Sequence, residues 1–160
     1  MRLREVLEQS IPIYRRAGER FGLANALSMI ARADVDEGRL EMALPRFMES
    51  IDLFAEIGDL SGLAFSLDDL AEVYFEQGDR ERALRLAGAA DAMRETLGAA
   101  APRALVRSFD TLAEARTVMD EATVSRAWEE GRAMTMEQAL AYLRGDDATE
   151  APGPSSAPGA

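Results

Sequence analysis

Carboxylates are the only side chains in this sequence dense enough, and regularly enough spaced, to do chemistry. Asp68, Glu72 and Glu76 recur every four residues, with Asp69 beside the first, so on a helix they line one face. Paired carboxylates can share the acid and base work of sugar hydrolysis when a cleft raises one pKa. Nothing around these residues marks such a cleft. A second cluster, Asp34-x-Asp36-Glu37-Gly38, is faintly similar to a calcium loop. That motif needs further oxygen ligands and a distant glutamate in a non-helical turn. These acids fall on the end of a predicted helix instead, where the expected role is a solvated cap. Other reagents are missing outright. The 160 residues include no Cys and no His, and all 18 basic residues are Arg. That removes thiolate nucleophiles and metal sites, the commonest general base, Schiff-base lysines and the Walker A phosphate loop. No catalytic residue, metal site or cofactor is expected.

The formal net charge of −11 excludes nucleic acid as an expected partner, because duplex binding depends on neutralising phosphates. The same charge suits a soluble protein and could steer a basic protein surface. No apolar run approaches the length of a membrane span, and the first turns hold charged residues where a secretory signal would be apolar. A cytoplasmic location with no membrane partner is the resulting expectation.

The elements that would carry these acids follow a repeat. Displacing the sequence by forty residues superposes Ser10-Ile11 on Ser50-Ile51, Gly18 on Gly58, Gly22-Leu23-Ala24 on Gly62-Leu63-Ala64, and Gly38 on Gly78. Ten identities link residues 3–42 to 43–82, and the period continues to Gly98. A fixed period in this range marks stacked supersecondary units. Apolar residues at helical spacing predict helix pairs over 21–57 and 61–97, split at Gly38 and Gly78 and closed by Gly58 and Gly98. The expected core positions are Leu23, Leu27, Ile30, Leu44, Phe47, Ile51 and Phe54, then Leu63, Leu67, Leu70, Tyr74, Leu84, Leu86, Met93 and Leu97. Small residues Ala31, Ala43, Ala71 and Ala83 fall where paired helices must approach closely. Pro12 should kink the helix over 2–17, and Pro45 could mark the true start of its own helix.

The run Leu67-x-x-Leu70-Ala71-x-x-Tyr74-Phe75-x-x-Gly78-Asp79-Arg80-x-x-Ala83-Leu84 resembles the tetratricopeptide repeat family. Its counterpart from Leu27 to Leu44 is a looser match, with Asp34 where an aromatic is expected. The implied fold class is all-α: a tetratricopeptide-like solenoid of helical hairpins with a C-terminal helical cap. The resemblance places Asn25, Ser28, Arg32, Val35, Asp36, Phe65, Asp68, Glu72, Phe75 and Glu76 on the family's concave, protein-binding face. Two readings follow: a groove for a basic or amphipathic segment between aromatic walls, or a solvated acidic helix face. Residues 85–98 and 127–139 are similar to the C-terminal end of large bacterial regulators. Those proteins join an ATPase region to such repeats, often with a LuxR-type or AfsR-type DNA-binding domain.

Residues 2–17 read as a second helix without its first, which exposes an apolar face. The expected explanations are the tail of a longer protein, a truncated product, or a protomer that pairs through residues 3–17 into a homo-oligomer. Beyond the repeats of 1–98, residues 99–144 are expected to form the cap. It would hold a helix from Pro102 to about Asp120, one over 121–130 anchored by Trp128, and a last one opened by a Thr135/Gln138 capping box. Residues 145–160, rich in Pro, Gly, Ser and Ala, are expected to be disordered. The function this predicts is non-catalytic: a protein-interaction module in a signalling or transcriptional regulator. The alternatives are a self-associating structural element and a small-molecule sensor pocket between repeats.

Overall fold

The computed structural model describes residues 3–98 and 109–145, and every regular element in them is an α-helix. Five long helices come first: α1 (Leu3–Ala17), α2 (Arg20–Asp36), α3 (Leu40–Ile57), α4 (Leu60–Glu76) and α5 (Arg80–Thr96). Three shorter ones follow: α6 (Thr111–Val118), α7 (Glu121–Arg132) and α8 (Met136–Arg144). The strongest packing joins α2 to α3 and α4 to α5, which are the two predicted hairpins, and α5 to α7. The molecule is a tetratricopeptide-like helical solenoid.

Only two or three residues separate successive long helices, and one device makes turns that short. Gly18, Gly38, Gly58 and Gly78 each adopt a left-handed φ between 67° and 90°, which ends a helix at little cost for a residue without Cβ. The N–H of the following residue then reaches back five positions. Glu19 donates to the Tyr14 carbonyl (3.0 Å), Asp59 to Phe54 (2.9 Å) and Asp79 to Tyr74 (2.9 Å). The side chain of that same residue caps the next helix: Glu19 accepts from Gly22 N–H (2.8 Å), Asp59 from Gly62 (3.0 Å) and Asp79 from Arg82 (3.4 Å). Each Gly-acid pair therefore closes one helix and opens another. Asp59→Ala should cost about 1 kcal/mol in a urea titration, with the helix content otherwise unchanged.

Close approach of the helices depends on further glycines. A Cβ on Gly62 would enter the Phe54 ring, and one on Gly22 would lie 2.7 Å from the Tyr14 ring. Phe54 and Tyr14 occupy the same place in successive units, so Gly22 and Gly62 are shared packing solutions. Ala31, Ala43, Ala71 and Ala83 are fully buried, as close pairing requires. One continuous core runs from Ala24 to Leu143, and a smaller cluster of Leu7, Ala26 and Ile30 holds α1 on α2.

Several expectations need correction. α3 begins at Leu40 and continues through Pro45, so that proline is not its start. Pro12 lies inside α1, as expected. Leu97 is exposed at the end of α5 and adds nothing to the core. The expected helix over 102–120 is interrupted: Asp110 is extended and caps α6 by accepting from Leu112 and Ala113 N–H (both 3.1 Å). The expected break at 99–102 and the tail beyond Gly145 lie outside the described residues. The last helix starts as predicted. Gln138 N–H donates to Thr135 Oγ1 (3.1 Å), and Thr135 N–H donates to Gln138 Oε1 (2.9 Å). Trp128 is buried in the core.

Candidate functional site

The predicted concave residues lie on α2 and α4, and three hydroxyls at the meeting point of α2, α3 and α4 set those helices side by side. Ser50 Oγ donates to the Ala24 carbonyl (3.0 Å) and lies 3.4 Å from Ser66 Oγ, which in turn donates to Ser28 Oγ (3.3 Å). Small polar side chains suit this junction because each is satisfied by a neighbour while the helices stay close. Farther along, Arg32 of α2 bridges to Glu72, sits 3.6 Å from Asp69, and pairs with Asp36 on its own helix (2.7 Å). Burial lowers the Arg32 pKa, but hydrogen bonds to Glu72 and Asp36 outweigh it and leave the net shift upward. Arg32 is thus a fixed cation.

This geometry divides the predicted residues. Asp68 and Glu72 are buried, not solvated: Arg94 of α5 pairs with Asp68, and Arg32 pairs with Glu72. The reading of the acidic stripe as a solvated face is therefore overturned for both. Val35 is buried as well. Phe75 is half-buried and stacked edge-on against Phe109 (centroids 5.6 Å apart, planes at 65°), with the Arg80 guanidinium 5.7 Å from the Phe75 ring centre. Asn25, Ser28 and Arg32 are partly exposed, and Asn25 donates to the Phe21 carbonyl (2.9 Å). Asp36 and Glu76 are exposed, and Phe65 is 41% exposed. The accessible strip therefore runs from Asn25 and Phe65 past Ser28 and Arg32 to Asp36 and Glu76. Periodicity along one helix could not show Arg94 or Phe109, because both arrive from other elements.

A second polar cluster joins α2 to α1 and α3, where the sequence showed only a poor consensus match. Asp34 is fully buried, and its carboxylate accepts from Arg4 of α1 (2.8 Å), from Arg39 in the α2–α3 turn (3.0 Å) and from Arg46 of α3. Glu37, 3.3 Å from Arg4 and paired with Arg39, and Glu8, 3.6 Å from Arg4, bring the acids level with the three arginines. Burial pushes the Asp34 pKa up, but the three arginines outweigh it and hold the carboxyl below the usual range. The expectation of a solvated cap fails at Asp34. Its counterpart in the next unit, Tyr74, fills the same place with a half-buried ring, and Arg82 stacks 4.4 Å from the ring centre. One unit thus joins its helices with ions where the next uses an aromatic ring.

Among the described residues, no group of three or more His, Cys, Asp or Glu is placed to hold a metal ion. No helix among them is long and apolar enough to cross a membrane. No curated protein and no solved structure matches the chain. The two hairpins, turned at left-handed Gly38 and Gly78, and the strip shared by α2 and α4 fall within a family match: residues 22–96 match the tetratricopeptide repeat, a non-catalytic module that generally mediates protein–protein interaction.

Proposed function

We propose that the chain is an interaction module that holds an extended or helical segment of another protein along the strip of α2 and α4. The observation that carries this reading is the alignment of Asn25, Ser28, Asp36, Phe65 and Glu76 on two helices locked together by Ser28–Ser66 and Arg32–Glu72. A rigid surface loses little entropy on binding, and a half-exposed aromatic between polar side chains is the usual form of an interface anchor. Phe65 would take an apolar side chain of the partner, while exposed Asp36 and Glu76 would favour basic residues beside it. The regulator setting is supported by the resemblance of residues 85–98 and 127–139 to LuxR/AfsR-like bacterial transcriptional regulators. In that cytoplasmic setting the bound segment belongs to an attached or associated signalling domain.

A fluorescence titration with amphipathic basic peptides tests the binding mode. Phe65→Ser should weaken binding at least about tenfold, and Asp36→Arg with Glu76→Arg should weaken it further at low salt. Asp68 and Glu72 are unsuitable targets, because both are buried and hold helices together through Arg94 and Arg32, so changing them also changes stability. Affinity that is indifferent to all three substitutions sinks the reading.

A further inference from the structure

α1 carries two apolar stripes. Leu7, Ile11 and Tyr14 pack against α2 around Ala26 and Ile30. A quarter turn away, Leu3, Val6, Ser10, Ile13 and Ala17 follow a three- and four-residue spacing. The large members of this second stripe are open: Leu3 is 58% exposed, Val6 40% and Ile13 55%.

The forty-residue register identifies what covers this stripe elsewhere. At the positions of Leu3 and Ser10, α3 has Ala43 and Ser50, both fully buried in the α2–α3 hairpin. At the positions of Leu3, Val6, Ser10 and Ile13, α5 has Ala83, Leu86, Ala90 and Met93, none more than 7% exposed, in the α4–α5 hairpin. On α2, Met29 is 47% exposed. Its counterpart on α4, Asp69, faces the preceding first helix, 3.6 Å from Arg32. Both α1 and α2 therefore leave uncovered the faces that touch a first helix in the other units.

We infer that the ledge of Leu3, Val6, Ser10, Ile13 and Met29 docks an amphipathic helix of a partner protein, one with the first-helix pattern of these repeats. That pattern is apolar at the spacing of Leu63, Leu67, Leu70 and Tyr74, with small residues at the positions of Ala64 and Ala71. The partner helix runs antiparallel to α1, as α2 does to α3. Ser10 Oγ, which donates to the Val6 carbonyl within its own helix (2.7 Å), can turn to a carbonyl of the incoming helix, as Ser50 does to Ala24 (3.0 Å). Leu3 replaces the alanine of the other units, so the incoming helix needs a correspondingly small residue opposite it. A second copy of this chain presents the same two-helix ledge and not an unpaired first helix, since α2 and α4 are both already paired.

The test tethers a stand-in for the partner. A duplicate of residues 60–82 placed ahead of Leu3 brings a first helix to α1 through its own turn, at roughly millimolar effective concentration. The melting temperature should rise by roughly 5 °C or more relative to the same extension with its leucines at 63, 67 and 70 changed to serine. Ile13→Glu should shift the unextended chain by no more than about 1 °C and should abolish the rise. Equal melting of the two extensions overturns the assignment, as does a rise that survives Ile13→Glu. Sedimentation of the unextended chain gives the other arm. A monomer at all concentrations supports a partner helix, and a dimer that Ile13→Glu dissociates makes a second copy the occupant and overturns it.

Discussion

Gly131→Val is expected to separate the C-terminal helices from the repeats, with a loss of about 3 kcal/mol in chemical denaturation. α7 and α5 touch through their backbones. A Cβ on Gly131 would fall on the Arg85 carbonyl, and one on Gly88 would lie 2.5 Å from the Trp128 carbonyl. Backbone carbonyls cannot swing aside as a flexible side chain can, so the helices must part. Parting them would also break Arg85–Glu130 (2.7 Å), Arg132–Glu95 (2.6 Å) and Arg132–Asp91, which lie along the seam. These ion pairs are partly exposed and contribute modestly; the larger loss is the burial of Val124, Ala127 and Trp128. Trp128 is the only tryptophan, so its emission should shift to the red in Gly131→Val. Glu129→Ala, an exposed change on the same helix, should stay within about 0.5 kcal/mol of the parent. A Gly131→Val protein with parental emission and stability would show that the helices do not meet there.

The second large effect is expected at Asp34. Asp34→Asn keeps the shape and removes the charge, leaving Arg4, Arg39 and Arg46 around a neutral amide. Removing one partner of a buried ionic cluster costs about 3–5 kcal/mol. The arginines here remain partly solvated, so the lower end is expected. The effect depends on pH in a defined direction. The folded pKa of Asp34 lies below its unfolded value, so its contribution is fully present above the unfolded pKa, near pH 4, and disappears as pH falls through the folded value. In urea titrations the parent and Asp34→Asn should differ most at neutral pH and converge in acid. Because Arg4 ties α1 to this cluster, amide exchange in Asp34→Asn should quicken first along Leu7–Tyr14. A constant difference between the two proteins at every pH would remove the ionic account.

Much of this fold is legible in the sequence because the governing interactions are local. A left-handed glycine followed by a capping acid is a two-residue signal, and the Thr135/Gln138 box spans only four. The forty-residue period works for a similar reason, since each unit repeats the packing of the last, down to Tyr14 over Gly22 and Phe54 over Gly62. The candidate site is less legible, because its electrostatics come from other elements. The spacing of Asp68, Glu72 and Glu76 places them on one face but cannot show that Arg94 and Arg32 reach two of the three. Asp34 reads as a flaw in a consensus while its partners lie thirty residues before it and five and twelve after it. The start of α6 is a different case. Asp110 ahead of Thr111 is an ordinary helix-start signal, which the longer apolar pattern obscured.

The most direct test of the central claim, a binding strip along α2 and α4, is a residue-resolved footprint of a bound amphipathic basic peptide by backbone amide NMR. The largest shifts are expected at Asn25, Ser28, Asp36, Phe65 and Glu76, with little change along α7 and α8. Shifts centred on α7 and α8, with residues 25–36 and 65–76 unmoved, would contradict it.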